Sequence, residues 1–274
     1  MDIDSLIIKT KKEVFSNSAG IYGSKRRGEG YDFLELEEYD YTSDAKKIDW
    51  LISAKMQKPY VKVTQDEKRR NIVAVFLLSG SLFFGSGRLK IETLLEAFSI
   101  LGFSAFRGGD IFRGGYILEK EIFLSLPYLD LFLLQEDIKR ISKISLLGKR
   151  GEFGRLNDLF YMIKEKSFVV FLGDFSYEID LSLFAAKHEV LAVVARDGVE
   201  RGSRMDEEVE LVDNESLREG SYLLNDFSLR KYGERMDERL WRNYEAFGKV
   251  GIDYLEIFDY DRVFLKLYNY FLGK

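Results

Sequence analysis

Three uninterrupted apolar runs, Ile72 to Leu78, Phe168 to Leu172 and Val190 to Ala195, constrain this chain more than any other feature. Each is too short to be a helix of ordinary length, is rich in Val, Ile, Leu and Phe, and has no polar alternation, so it reads as a strand covered on both faces. Gly80 and Gly85 follow the first run, Gly173, Asp174 and Phe175 the second, and Arg196 and Asp197 the third. Amphipathic stretches lie between and after them. Ile91, Leu94, Leu95, Phe98 and Leu101 fall at helical spacing, as do Leu156, Leu159, Phe160 and Ile163, then Met236, Leu240, Tyr244 and Phe247, and a last set from about Arg262 to Leu272. Strand-then-helix alternation of this kind predicts an α/β, doubly wound, mainly parallel sheet. Its strands should be neighbours, with polar residues gathered at their carboxyl ends.

The remaining composition agrees with a folded chain of 274 residues: 46% is hydrophobic and 15% aromatic, enough for a large core. Lys and Arg number 41 against 46 Asp and Glu, a net charge of -5, which supplies no general attraction to nucleic acid or anionic membrane. Two short Arg-Gly-Gly copies around Asp110 to Phe112 therefore read as turns beside a strand rather than an RNA-binding box. No cysteine is present, which excludes disulfides and thiol chemistry and fits a cytoplasmic setting. The amino terminus lacks a signal-peptide pattern, and the longest apolar run falls short of a membrane span.

The first seventy residues differ from the rest. They are dense in charge and glycine, with Phe33, Tyr39 and Trp50 interleaved and a strand expected over Tyr60 to Thr64. Ser24, Gly28, Gly30, Asp32, Phe33, Tyr39, Ile48, Asp49, Trp50, Ser53 and Ala54 together form a signature that resembles the domain of unknown function 58 family. The carboxyl-terminal third resembles it too, through EVELVD, LRKYGERMDERL and GIDYLEIFDYD. The resemblance implies a von Willebrand factor A-like fold, association with MoxR-type AAA+ ATPases or other von Willebrand A-domain proteins, and no established activity. Residues 1–70 are expected to form a signature segment packed on the body, with 71–274 as the α/β domain and its helical extension. Phe33, Tyr39 and Trp50 are expected to pack rather than contact a partner. The chain departs from the family pattern at Glu37, Thr42, Ser43, Lys46 and Lys55.

In a von Willebrand A-like fold, Asp-x-Ser-x-Ser after the first central strand binds a divalent cation. Alignment on Phe84 and Gly85 puts Leu77, Ser79 and Ser81 at those positions, and Asp174 at the second carboxylate. Leucine in place of the aspartate removes a charged oxygen ligand, so the site is read as degenerate, with no cofactor and no Mg²⁺. Ser79, Ser81, Asp174 and Asp197 are expected to line a partner-binding rim at the strand ends. The function expected is non-enzymatic: an adaptor or client of a MoxR-type ATPase, without nucleic-acid binding or a membrane span, reaching a membrane only through partners. The rivals are a hydrolase using Asp174 with Asp197 and a structural subunit of an envelope complex. His188, the single histidine, is read as helix-terminal or solvent-facing, and Gly148-Lys149-Arg150 does not complete a P-loop.

Overall fold

The computed structural model describes residues 2–16, 33–39, 48–64, 69–201, 211–212, 219–220 and 226–273. The chain divides into two compact units, residues 24–69 and residues 1–23 with 70–274. Signature positions Ser24, Gly28, Gly30, Asp32, Thr42, Ser43 and Lys46 lie outside the described residues.

The larger unit begins with helix α1 (Ile3–Ser16), and the smaller one follows. In the smaller unit, strands β1 (Phe33–Glu38) and β2 (Tyr60–Thr64) pair antiparallel, with helix α2 (Trp50–Met56) between them in sequence. The larger unit is built on a six-stranded sheet. Its strands are β3 (Asn71–Leu78), β4 (Ile111–Leu118), β5 (Glu121–Leu124), β6 (Phe168–Gly173), β7 (Glu189–Arg196) and β10 (Asp253–Phe258). Two short strands, β8 (Leu211–Val212) and β9 (Glu219–Gly220), pair with each other between β7 and the helix that follows. The spatial order is β10-β7-β6-β3-β4-β5, parallel throughout except for β5, which turns back antiparallel on β4. The three apolar runs are thus neighbouring central strands, as two-sided burial demands. Strands β4 and β10 lack the uninterrupted apolar pattern of the other three: Arg113, Gly114 and Gly115 break the run in β4, and β10 alternates with Asp and Glu.

Alternate residues of β3 serve opposite layers. Ile72, Ala74, Phe76 and Leu78 join a core with α1, α3 (Lys90–Gly108), α4 (Leu131–Ser142) and α8 (Val263–Leu272). Val73, Val75 and Leu77 join the opposite core with α5 (Leu156–Met162), α6 (Ser182–Ala185) and α7 (Asp226–Val250). Helix α3 is buried almost all round from Lys90 to Ala105, because the sheet covers one side of it and α1, α4 and α8 take others. At one such contact the exposed Lys9 reaches the buried Glu96 at 2.9 Å and ties α1 to α3. No helix among the described residues is long and apolar enough to cross a membrane.

The second Arg-Gly-Gly copy lies inside β4 rather than in a turn. A Cβ added at Gly114 would stand 2.3 Å from the Tyr128 hydroxyl oxygen and 2.6 Å from the Phe98 ring; at Gly115 it would stand 2.5 Å from the Phe123 carbonyl oxygen. Tyr128 cannot swing clear without losing the hydrogen bond its hydroxyl donates to Asp137, 2.7 Å. Glycine is therefore required by close packing. Gly114→Ala is expected to lower the unfolding free energy by roughly 1–3 kcal/mol, the usual cost of overpacking, read as a fall in the urea midpoint with an unchanged slope.

Candidate functional site

Strands β3 and β6 are adjacent, but the chain leaves β3 toward β4 and leaves β6 toward β7. The crossovers diverge there, and a crevice opens at the carboxyl ends, where α/β sheets place ligands. Ser79 leaves β3 and Asp174 leaves β6 at this point. The Ser79 and Ser81 hydroxyls share a hydrogen bond at 2.7 Å, and the Gly80 N–H donates to the Lys149 carbonyl, 2.7 Å, fixing the loop before α5. Gly85 makes the tight turn into α3: a Cβ there would lie 2.1 Å from the Arg88 carbonyl oxygen.

Charged side chains fill the interior of the site. The Lys90 ammonium, at the first residue of α3 and 3% exposed, lies 3.6 Å from Asp174 Oδ2 and pairs directly with Glu200. Glu200 also accepts from Arg196 Nε, 2.8 Å. Arg196 extends the chain to Glu256 at 2.8 Å and Asp237 at 2.7 Å, with its guanidinium 5.6 Å from the centre of the Phe258 ring. Burial pushes the Arg196 pKa down, and hydrogen bonding to Asp237 with the charges of Glu200 and Glu256 outweighs it, leaving the group above its ordinary value. Removing one member of such a buried set leaves its partner uncompensated, typically at about 3–5 kcal/mol.

These contacts leave most of the residues expected at the partner-binding rim buried. Asp197 is fully buried: it accepts from the Ser86 N–H at 2.7 Å, the Ser86 hydroxyl at 2.9 Å and the Val199 N–H at 2.9 Å. Asp174 and Ser79 are buried as well, and Ser81 alone of the four is partly exposed. Asp174 and Asp197 are also engaged by different partners, Lys90 and Ser176 for the first, Ser86 and Val199 for the second. A strand-end carboxylate meets several loop N–H groups, and satisfying them draws it inward.

Helix α7 braces the loop after β6. Asn243, 2% exposed, donates to the carbonyls of Phe175 at 2.9 Å and Tyr177 at 2.7 Å, and accepts from the Ile179 N–H at 3.1 Å. Phe175 adopts φ +50°, a conformation disfavoured for a residue with a Cβ, and its ring packs edge-on against Phe247 at 5.7 Å. Asn243 falls on the same helical face as Leu240, Tyr244 and Phe247, and a polar residue within an apolar stripe is the signal that could have found it. Lys90, Arg196 and Glu200 carried no comparable signal, since their partners are distant in sequence.

The donors present do not fit a hard divalent cation. Leu77, 3% exposed, points into the apolar layer with Val73 and Val75 and lies against Gly173, where a Cβ would be 3.2 Å from its own. One carboxylate, already facing an ammonium, and two mutually bonded hydroxyls do not make the oxygen cage such an ion requires.

A family model described as "Protein of unknown function DUF58" matches residues 35–235 of the sequence. The chain belongs to that family. A search of curated proteins gives no significant match. Among solved structures, the conserved hypothetical protein BatB from Bacteroides thetaiotaomicron is 12% identical over 75% of this chain and 100% of its own, with a TM-score of 0.41. An aerotolerance-related membrane protein from Bacteroides fragilis NCTC 9343 is 11% identical over 75% of this chain and 98% of its own, with a TM-score of 0.38.

In this DUF58 chain the signature residues Asp49 and Ser53 build local structure. Asp49 caps α2, accepting from the N–H groups of Leu51 at 3.0 Å and Ile52 at 3.1 Å, and the Ser53 hydroxyl accepts from the Tyr60 N–H at 2.8 Å, joining α2 to β2. Trp50 departs from the expected packing role: at the first position of α2 it is 70% exposed, and Leu51 beside it is 73% exposed. Tyr39 is partly buried, its N–H donating to the Pro59 carbonyl at 2.7 Å, and Phe33 opens β1.

His188 lies at the opposite end of the sheet, just before β7. It follows α6, as expected of a helix-terminal residue, but is buried rather than solvent-facing. Its Nδ1 accepts from the Ser167 N–H at 3.2 Å, and the ring lies edge-on to Phe160.

Two outcomes follow from these positions. Leu77→Asp places a carboxylate in an apolar layer and is expected to lower the unfolding free energy by about 2–4 kcal/mol, with no recovery in excess Mg²⁺ by urea denaturation. Burial, and then the charge of Lys187, hold the His188 pKa below its ordinary value. The unfolded chain therefore takes up the proton first. The His188 contribution to stability is complete above about pH 6.5 and lost as pH falls from there through the lower folded-state value. His188→Asn, whose amide oxygen can still accept from Ser167, is expected to flatten the decline of stability between neutral and acidic pH. An unchanged slope would contradict the assignment.

Proposed function

We propose that this chain is a non-enzymatic recognition module, an adaptor or client of a MoxR-type AAA+ ATPase in complex assembly, working in the cytoplasm or at a membrane through its partners. The observation that carries the reading is the way the loops after the parallel strands are tied to one another. The β3 loop is bonded to the segment before α5 through Gly80 and Lys149, and to the β7 turn through Ser86 and Asp197. The β7 turn is bonded in turn to the β10 loop through Gly198 and Asp259, at 2.9 Å. Loops held on a rigid sheet present a surface of fixed shape, which suits recognition.

The interior of the site supports the same reading. Its charges are matched within the chain, and among the described residues no hydroxyl there is hydrogen-bonded to a histidine, His188 lying at the far end of the sheet.

The recognition face comprises Ser81 and its exposed neighbours in the cross-tied loops, rather than Asp174 or Asp197. Ser81→Arg and Gly154→Arg, the latter at a position where a Cβ meets nothing within 4 Å, are expected to weaken co-purification with a MoxR-type ATPase at least tenfold. The circular-dichroism spectrum and melting curve should change little. Trp50→Ala, at an exposed ring, serves as the contrast. If association survives both rim substitutions and is lost on Trp50→Ala, the contact lies on the smaller unit and the assignment to the strand ends fails.

A further inference from the structure

We propose that Lys90 is the resident cation of the strand-end site, its ammonium taking the electrostatic place that a divalent ion holds in metal-binding versions of this fold, so that the site is permanently closed to metal. The inference does not depend on which partner the protein binds. It rests on where the lysine is and what faces it. Lys90 is the first residue of α3, the helix that follows the β3 loop; Asp174 follows β6, and Glu200 lies in the turn after β7. One ammonium therefore joins the loops of three neighbouring strands, and a bridging role of this kind is what a cation at a switch point supplies.

The position is otherwise a poor one for a lysine. The first turn of a helix carries the positive end of its dipole, which disfavours a cation, and Lys90 is 3% exposed, so solvent does not compensate. Asp174 and Glu200 supply the compensation. Glu200 has a second counter-charge in Arg196, 2.8 Å away. Asp174 is different: its Oδ1 accepts from the Ser176 hydroxyl at 3.1 Å, while its buried Oδ2 has no hydrogen-bond donor and faces the ammonium at 3.6 Å. The charge on Asp174 is thus matched by Lys90.

The remaining candidate ligand positions are equally unsuited to a metal ion. Leu77 fills with hydrocarbon the place of the anionic ligand, and Ser79 and Ser81 satisfy each other at 2.7 Å. A divalent ion entering here would meet an ammonium already in place and one available carboxylate. Leucine at position 77 and lysine at position 90 act in the same sense: one anionic ligand is absent, and one fixed monovalent cation stands against the remaining carboxylate.

The test uses the full chain, with Lys90→Met, Asp174→Asn and the double variant, by thermal denaturation and by calorimetric titration with Mg²⁺ and Mn²⁺. Lys90→Met is expected to lower the melting temperature by about 10 °C, since it strands a buried carboxylate. The double variant should regain most of that loss, because Asp174→Asn removes the stranded charge while Glu200 keeps Arg196. The unmodified protein should give no ion-binding heat and no melting shift at millimolar Mg²⁺ or Mn²⁺. Additive effects of the two substitutions overturn the pairing. A saturable ion-binding signal in the unmodified protein that Asp174→Asn abolishes overturns the proposal outright. If Lys90→Met does not fold, the ion titration of the unmodified protein decides by itself.

Discussion

A strand buried on both faces can carry polar groups only at its ends, and this one constraint organises the α/β unit. Strands β3, β6 and β7 lie side by side with apolar residues facing both helical layers, so hydrogen-bonding and charged side chains collect where each strand stops. At the amino ends this produces contacts such as Asn71 with Glu165, Ser167 with His188, and Lys187 with the Ile163 carbonyl. At the carboxyl ends, where the crossovers diverge, it produces Ser79, Asp174, Arg196 and Asp197 within one region.

What those groups do once gathered depends on whether water can reach them, and the loops exclude it. Lys90, Asp174, Arg196, Asp197 and Glu200 are all nearly or fully buried, so each needs a partner within the chain. Buried ion pairs of this kind add little net stability over apolar packing of the same shape, because desolvation offsets attraction. Their effect is on geometry. A charge with one acceptable set of partners fixes the loop that bears it, and five such charges fix the loops after β3, β6 and β7 together. Asn243 extends the same logic to the β6 loop from α7, holding Phe175 in a backbone conformation it would not adopt alone.

The smaller unit shows a different division of labour within the family signature. Asp49 and Ser53 satisfy backbone groups and so build the short helix α2, while Trp50 and Leu51, adjacent in sequence, are left at the surface. A signature thus mixes residues that make a local fold with residues that the fold displays, and side-chain type does not separate them. An aromatic ring usually buries, yet here the residue that follows the N-cap is left exposed.

The sequence by itself determined the α/β class, the three central strands and the apolar faces of the later helices, because these rest on short-range periodicity that a chain carries wherever it folds. It also placed Ser79, Ser81, Asp174 and Asp197 near one another, since doubly wound sheets gather strand ends. Tertiary structure alone decided that three of these four are buried, that Gly114 and Gly115 belong to a strand, and that Trp50 is exposed. It alone joined Lys90 to Glu200 across 110 positions and Asn243 to Phe175 across 68. The physical reason is the same in each case: burial and charge pairing are properties of which segments meet, and no local pattern records a partner so far away in the chain.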